Sequence, residues 1–299
     1  MTTVSSAPSS GASSSARLRA RAESASAHLP GLVLSAERLV SMVAPGAHGL
    51  RRAGPGEDFW QYRPAAQGDT ARAIDWRRSG RSDAQFVRDR EAQTAQSLAL
   101  WVSAGQGMGY SSGAERPAKA DRARLLALAL AMLSLRGGEK VGLLGGPSRA
   151  GRMQPLHMAE AMLAAAPAAG DDDLPDADML RPGQRLVLIG DYLERPEWLA
   201  PFLARASAMG LRGVLLQVLD PAEEDFPFSG AVLFRSLSGA TDHDSRDAAG
   251  LRAAYLQRLA ERRDWLVAQA AGAGWHFGHH RTDHAPALAL QWLYQVLGG

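Results

Sequence analysis

From residue 97 onward, short apolar runs of strand length alternate with segments of helical periodicity. The apolar runs occupy 97–103, 141–146, 185–191 and 213–220, with helical patterns between them at 118–135, 153–166 and 197–209. Consecutive apolar positions indicate strands buried on both faces, and strands that alternate with helices form parallel sheets covered on both sides. The sequence therefore predicts an α/β fold with an open, mostly parallel sheet and helices on both faces.

The rest of the chain flanks this alternation. After Asp220 the patterns predict a strand and turn at 231–239, a charged helix at 245–271, a short strand at 275–278 and a final helix at 286–297. Upstream, 17–43 predicts one or two short helices, and the Ser/Ala/Thr-rich start predicts a disordered leader. We therefore expect three parts: a leader at 1–16, a helical and charged segment at 17–95, and an α/β domain at 96–299.

A charged stretch at 54–91 precedes the α/β pattern. Its glycines and prolines exclude a continuous helix and predict short strands and turns. Arginines and acids alternate along it, which is typical of a salt-bridged framework. A different interpretation takes Asp69 and Asp75, with Arg63 and Arg72, as the acid/base set of a hydrolase. No histidine or other nucleophile accompanies those carboxylates, so we favour the framework.

Composition restricts the classes of function. The net charge of the 299-residue chain is only +2, so no strong field favours nucleic acid as a partner. The chain has no cysteine, which excludes disulfides and thiolate sites, and Lys119 and Lys140 are its only lysines. No apolar run reaches the length of a membrane span, and the start lacks the apolar core of a secretion signal, so we expect a cytoplasmic protein.

Two groups of residues could suggest a cofactor or a metal. The glycine-rich loop at 104–113 follows a predicted strand, but the sequence has no G-x-x-x-x-G-K-[ST] motif, so we expect no nucleotide cofactor. The spacing of His276, His279, His280 and His284 matches no standard metal-ligand motif. We expect exposed imidazoles there.

The charged stretch, followed by an apolar strand and a Gly/Ser-rich loop that includes Met108, resembles the bacterial family known as domain of unknown function 58 (DUF58). DPAEEDFP at 220–227 is similar to the D-P-x-E turn of that family. The resemblance covers roughly residues 35–299 and implies a von Willebrand factor A-like, Rossmann-like domain. The residues that match the family motif are Gly56, Phe59, Arg63, Gly68, Asp69, Arg72, Ile74, Asp75, Trp76, Arg81, Arg88 and Glu91.

Metal-binding von Willebrand A domains carry a D-x-S-x-S motif after the first strand. The matching places here are Ser103, Gly105 and Gly107, which lack the acid and both hydroxyls. Asp191 matches a later metal-site acid, and Ser111, Ser112 or Asp220 are further candidate oxygen donors. Because Mg²⁺ needs near-octahedral oxygen geometry, we expect no metal and interpret Asp191 as a loop-capping carboxylate.

These observations leave three hypotheses for function. The first is a non-enzymatic protein-interaction module, an adaptor or scaffold; the resemblance implies that it works with a MoxR-type AAA+ ATPase in complex assembly, maturation or stress response. The alternatives are a magnesium-dependent adhesion-type binder that uses Asp191, and an uncharacterised hydrolase that uses Asp69 and Asp75. We expect a protein partner and no cofactor.

Overall fold

The computed structural model describes residues 10–43, 59–64, 86–90, 97–165, 174–193, 196–235 and 242–298. Its helices are α1 (Ser10–Val43), α2 (Lys119–Arg136), α3 (Gln154–Ala164), α4 (Leu199–Ala208), α5 (Pro221–Asp225), α6 (Ala248–Gly272) and α7 (Pro286–Gly298). Its strands are β1 (Phe59–Pro64), β2 (Phe86–Arg90), β3 (Ser97–Val102), β4 (Lys140–Leu143), β5 (Gln184–Gly190), β6 (Arg212–Leu219), β7 (Val232–Arg235), β8 (Asp242–Ser245) and β9 (His276–Arg281).

Five strands form one parallel sheet in the order β4-β3-β5-β6-β9. The chain runs from β3 outward to β4 and then returns to β5 on the other side of β3. The direction of winding therefore reverses between β3 and β5, and ligands of open α/β sheets bind beyond the carboxyl ends of the strands at such a point. The predicted parallel sheet is confirmed.

Alternate residues of the central strands enter two separate apolar cores. Leu98, Leu100, Val187 and Ile189 pack on one face with α1, α2, α3 and α7. Ala99, Leu186, Leu188 and Leu215 pack on the other face with α4 and α6. This alternation of side-chain direction explains why the strands are apolar at consecutive positions. The prediction of helices on both faces is also confirmed.

Helix α1 differs from the sequence expectation. It is one helix of 34 residues with Pro30 inside it, and it begins at Ser10, within the stretch assigned above to a leader. Alanine and arginine, which favour helix, are frequent in the segment before Pro30. Ala36, Leu39, Val40 and Val43 are buried in the same core as α2 and α3.

Strands β1 and β2 pair antiparallel, with Tyr62 opposite Arg88 and Arg63 opposite Val87. Strand structure in the charged stretch therefore agrees with the prediction. Phe59, Arg63 and Arg88 of the family motif lie on these two strands. The other motif residues lie outside the described part of the chain: Gly56, Gly68, Asp69, Arg72, Ile74, Asp75, Trp76, Arg81 and Glu91.

The packing of α1 predicts unequal effects of two substitutions on the same helix. Leu39 is 1% exposed and Leu34 is 52% exposed. Leu39→Ala should lower the free energy of unfolding by about 2–5 kcal/mol, because it removes buried methyl groups and leaves a cavity. Leu34→Ala should change it by no more than about 0.5 kcal/mol. Urea denaturation of both variants measures the difference, and equal midpoints would show that α1 does not pack on the α/β core.

Candidate functional site at the carboxyl edge of the sheet

The glycine-rich loop after β3 lies at the point where the winding of the sheet reverses. The Ser103 backbone N–H donates to Ile189 O of β5 (2.8 Å), and the Gly105 N–H donates to Ser103 Oγ (3.3 Å). A short 3₁₀ turn follows, from which the buried Met108 packs into the core. The loop is thus joined to β5 and to the apolar interior, and it leads into the start of α2.

Lys119, the first residue of α2, reaches into the space between the loops that follow β5 and β6. Its side chain is 1% exposed, and its Nζ lies 2.8 Å from Asp191 Oδ2 and 2.6 Å from Glu223 Oε1. The Tyr110 ring centroid lies 6.0 Å from the same nitrogen. One buried ammonium group therefore bridges two carboxylates from two different loops. We call Lys119, Asp191 and Glu223 the ion triad.

Each carboxylate of the ion triad also uses its other oxygen to hold its own loop. Asp191 Oδ1 accepts a hydrogen bond from the Leu193 N–H (3.3 Å). Glu223 Oε2 accepts one from the Asp220 N–H (2.9 Å), as part of the capping box that starts α5. The interpretation of Asp191 as a loop-capping carboxylate therefore agrees with the structure, although Asp191 is also half of a bridge to Lys119.

Asp220 joins a third loop to this arrangement. Its carboxylate accepts hydrogen bonds from the Ala222 N–H (2.8 Å) at the start of α5 and from the Ser112 N–H (3.0 Å) in the loop before α2. Asp220 itself is completely buried. The loops after β3, β5 and β6 are thus linked by two groups of buried charges and not by direct apolar packing alone.

Burial and charge act in opposite directions on the protonation of the ion triad. Burial disfavours the ammonium of Lys119, but Asp191 and Glu223 outweigh this effect, so that its pKa lies above the usual value. Burial raises the pKa of Glu223, and the neighbouring Lys119 only partly offsets the shift. Lys119 therefore stays positively charged at neutral pH.

The backbone after Asp191 is held in an uncommon conformation. Tyr192 has a positive φ of 53°, which costs a residue with a Cβ about 1 kcal/mol or more. Its hydroxyl donates to Leu188 O (2.8 Å). The buried Gln217 side chain donates to Asp191 O (2.9 Å), and Arg262 of α6 donates to Tyr192 O (2.9 Å). These contacts set the direction in which the Asp191 carboxylate points.

A second cation on α2 binds the loop after β9. Arg122, about one turn beyond Lys119, donates to Thr282 O (2.8 Å) and to His284 O (2.7 Å). It also lies 3.1 Å from His280 Nε2, which accepts its hydrogen bond only if the ring is neutral there. The first turn of α2 therefore supplies the cations for three loops at this edge.

His280 corrects the expectation of exposed imidazoles. It is 4% exposed, whereas His276, His279 and His284 are exposed as expected. Burial, followed by the charge of Arg122, lowers the pKa of His280 to about 4. Among the described residues, no group of three or more His, Asp or Glu side chains is arranged to hold a metal ion.

The structure brings the places of the lost metal motif together with Asp191. A Cβ built on Gly107 would lie 3.1 Å from Asp191 Oδ2, so this place in the loop faces the ion triad. Ser103 Oγ instead accepts from its own loop, and Ser111 Oγ donates to Gly113 O (2.9 Å). Ser112 contributes its backbone N–H to Asp220. These residues do not fit a divalent cation, because the Lys119 ammonium already occupies the space between the carboxylates.

The sequence alone did not identify Lys119 or Glu223 as members of the site. Two signals were present: Lys119 is one of only two lysines among 33 basic residues, and it stands at the start of the strongly apolar helical pattern at 118–135. Because the amino terminus of a helix repels cations, a lysine there indicates nearby acids. Glu223 lies in the D-P-x-E turn noted above, whose capping geometry was not foreseen.

Comparison with known proteins agrees with the sequence resemblance. Residues 61–264, more than half of the chain, match a family model described as "Protein of unknown function DUF58". The uncharacterized proteins Rv1480 of Mycobacterium tuberculosis and Mb1516 of Mycobacterium bovis are each 29% identical over 286 residues. Each alignment covers 89% of this chain and 86% of the relative.

Two solved structures are similar at a greater distance. One is an aerotolerance-related membrane protein from Bacteroides fragilis, with a TM-score of 0.41, 15% identity, and coverage of 67% of this chain and 98% of that one. The other is the conserved hypothetical protein BatB from Bacteroides thetaiotaomicron, with a TM-score of 0.40, 14% identity, and coverage of 67% and 97%. No helix in the described part of this chain has the length and apolar character to cross a membrane.

The buried ammonium predicts unequal effects at the two lysines of the chain. Lys119→Met removes the charge but keeps the length of the side chain, and it leaves the Asp191 and Glu223 carboxylates without their cation. It should lower the free energy of unfolding by about 3–5 kcal/mol. The matched control is Lys140→Met, at an exposed position, which should change it by about 0.5 kcal/mol or less. Equal denaturation midpoints for the two variants would contradict the ion triad.

The neutral His280 predicts a dependence of stability on pH. Its pKa is about 4 in the folded chain and near 6.5 when unfolded, so the unfolded state binds the proton first as the pH falls. The free energy of unfolding should therefore decrease from pH 7 to pH 4, with up to about 3 kcal/mol of the loss due to this residue. His280→Gln, whose amide oxygen can accept from Arg122, should show a shallower decrease. The control His276→Gln should follow the wild-type curve, and parallel curves for all three would refute the assignment.

Proposed function

Because the chain belongs to the DUF58 family, we propose that it is a non-enzymatic protein-interaction module. In this proposal it is an adaptor or scaffold that works with a MoxR-type AAA+ ATPase in complex assembly, maturation or stress response. The proposal places it in the cytoplasm, where the ATP that drives such an ATPase is available. The named partner comes from the family resemblance, and the site geometry supports the non-enzymatic part.

The ion triad is the observation that carries the proposal. A catalytic acid, base or metal must direct an unsatisfied polar atom at a substrate. At this edge of the sheet, the ammonium of Lys119 and the carboxylates of Asp191, Asp220 and Glu223 instead contact each other and loop N–H groups. The arrangement holds loops in place, which suits recognition of another macromolecule by a preformed surface.

Protein is a better match to this chain than nucleic acid. The net charge of +2 does not supply the positive field that phosphate backbones require. The rim of the site also mixes signs, since Arg281 pairs with Asp225 (3.0 Å) and with Asp283 (3.0 Å). A surface of paired charges favours a partner with its own mixture of polar and apolar groups.

The two other hypotheses have less support. A magnesium-dependent binder needs the space between Asp191 and Glu223, which Lys119 fills. A hydrolase that uses Asp69 and Asp75 would place both carboxylates in one cleft, and those residues lie outside the described part of the chain. No described contact favours either alternative.

Affinity capture of the tagged full chain from its native cells tests the proposal. The expected result is recovery of a MoxR-type AAA+ ATPase, identified by mass spectrometry, with wild-type chain. Arg72→Ala, in the family motif, should reduce the recovered ATPase several-fold if the charged stretch contacts the partner. The matched control is Arg152→Ala, at an exposed position outside the motif, which should recover as much as wild type.

Three results would count against the proposal. Capture that recovers no AAA+ ATPase would contradict the proposed partner. Equal recovery of the ATPase by wild type, Arg72→Ala and Arg152→Ala would contradict a role of the charged stretch in binding it. A hydrolytic activity that survives purification to homogeneity and is abolished by Asp75→Asn would favour the hydrolase instead.

A further inference from the structure

We propose that the Lys119 ammonium is a built-in replacement for a divalent cation, and that Asp191 and Glu223 form a latent metal site that this lysine keeps occupied. Metal-binding von Willebrand A domains hold their ion at the place that aligns with this edge of the sheet, whereas the residues present here do not fit one. The disagreement is informative because the place is filled by a cation of another kind. This inference does not depend on the identity of the protein partner.

The geometry around Nζ is that of a bound cation. One oxygen of Asp191 and one oxygen of Glu223 point at the nitrogen from different loops, at 2.8 Å and 2.6 Å. Each carboxylate keeps its second oxygen on a backbone N–H of its own loop. Mg²⁺ and Mn²⁺ are commonly held in the same manner, by one or two carboxylates with water in the remaining positions.

The position of Lys119 on its helix supports this interpretation. The first turn of an 18-residue helix is a site where the helix dipole repels a cation, and burial of the side chain adds a desolvation cost. Neither effect favours a lysine at residue 119. Only the attraction of the two carboxylates favours it, so we infer that Lys119 occupies this position because of Asp191 and Glu223.

The glycine-rich loop is consistent with a lost metal site. Gly107 faces Asp191 Oδ2 so closely that a Cβ would lie 3.1 Å away. A longer side chain at residue 107 would therefore enter the space that the ion triad now uses. Glycine at this position leaves that space to the lysine, which approaches from the following helix.

A tethered ammonium differs from a metal in one testable respect. It cannot be removed by a chelator or competed away by another ion, so the loops after β3, β5 and β6 keep their arrangement at any concentration of divalent cation. Once the ammonium is deleted, the two carboxylates repel each other. A divalent cation should then be able to bind between them.

The test compares thermal unfolding of wild type and Lys119→Ala with MnCl₂, with MgCl₂ or with EDTA. Wild type should show the same melting temperature in all three conditions. Lys119→Ala, which opens space as well as removing charge, should melt at a lower temperature in EDTA. Millimolar MnCl₂ should raise its melting temperature by roughly 5 °C in a saturable manner, as expected when a ligand binds only the folded state.

Two controls separate site binding from general effects of salt. Lys140→Ala, at the other lysine, should respond to Mn²⁺ no more than wild type does. Lys119→Ala/Asp191→Asn/Glu223→Gln should lose the response, because it lacks both ligands. A folded Lys119→Ala chain that Mn²⁺ stabilises no more than wild type would overturn the proposal, as would a wild-type chain that EDTA destabilises.

A further measurement decides the matter if Lys119→Ala does not fold in EDTA. The chain is then refolded from denaturant with and without MnCl₂ and followed by circular dichroism. Recovery of the native spectrum only with Mn²⁺ supports the latent site. No recovery with Mn²⁺, while Lys119→Met/Asp191→Asn/Glu223→Gln folds normally, contradicts it.

Discussion

The arrangement of loops at the carboxyl edge of the sheet depends on the electrostatic contact between Lys119 and the two carboxylates of Asp191 and Glu223. A buried ion pair is weak evidence for net stability, because desolvation can cost as much as the attraction returns. Its effect on geometry is stronger: if Lys119 moves away, both carboxylates lose their cation, and if either carboxylate moves away, the buried ammonium loses one of its two partners. The ion triad therefore restricts three loops to one relative arrangement.

Helix α2 is the element through which this restriction acts. Its middle is buried in the larger apolar core, where Leu126, Leu128 and Leu130 are fully buried. Its first turn carries Lys119 toward the loops after β5 and β6, and Arg122 toward the loop after β9. Because the helix is fixed by apolar packing, its two cations have defined positions, and the less regular loops are arranged around them.

The strands and helices of the α/β domain could be predicted from sequence because their periodicity reflects burial. Consecutive apolar residues in β5 and β6 indicate two covered faces, and the structure has them. The sequence predicts one or two short helices at 17–43, and the structure has the single helix α1 from Ser10, whose Ser/Ala-rich start has little apolar periodicity. A segment without an apolar stripe in its sequence has no periodicity from which a helix can be predicted.

The site was harder to predict for a physical reason. Ser103, Gly105, Gly107 and Asp191 were identified because strand ends that share one sheet edge can be aligned with a motif. Lys119 and Glu223 join them from a helix start and a capping box, 104 residues apart in the chain, so no local spacing relates them. A contact between charges that are far apart in the chain can be predicted only where a charged residue occupies an otherwise unfavourable position. Lys119 at the amino terminus of a helix is such a residue. His280 illustrates the same difficulty, since its contact with Arg122 joins two elements that are 158 residues apart in the chain.

The exchange of a diffusible ion for a side chain also changes what can regulate the site. A metal site responds to the concentration of its ion, whereas a lysine responds only to pH, and here the carboxylates move its pKa further from neutrality. The ion triad is therefore constant under conditions in which a metal site would be partly empty. If this edge of the sheet meets a partner, the concentration of divalent cations should not change that binding, because the edge itself has no ion to lose.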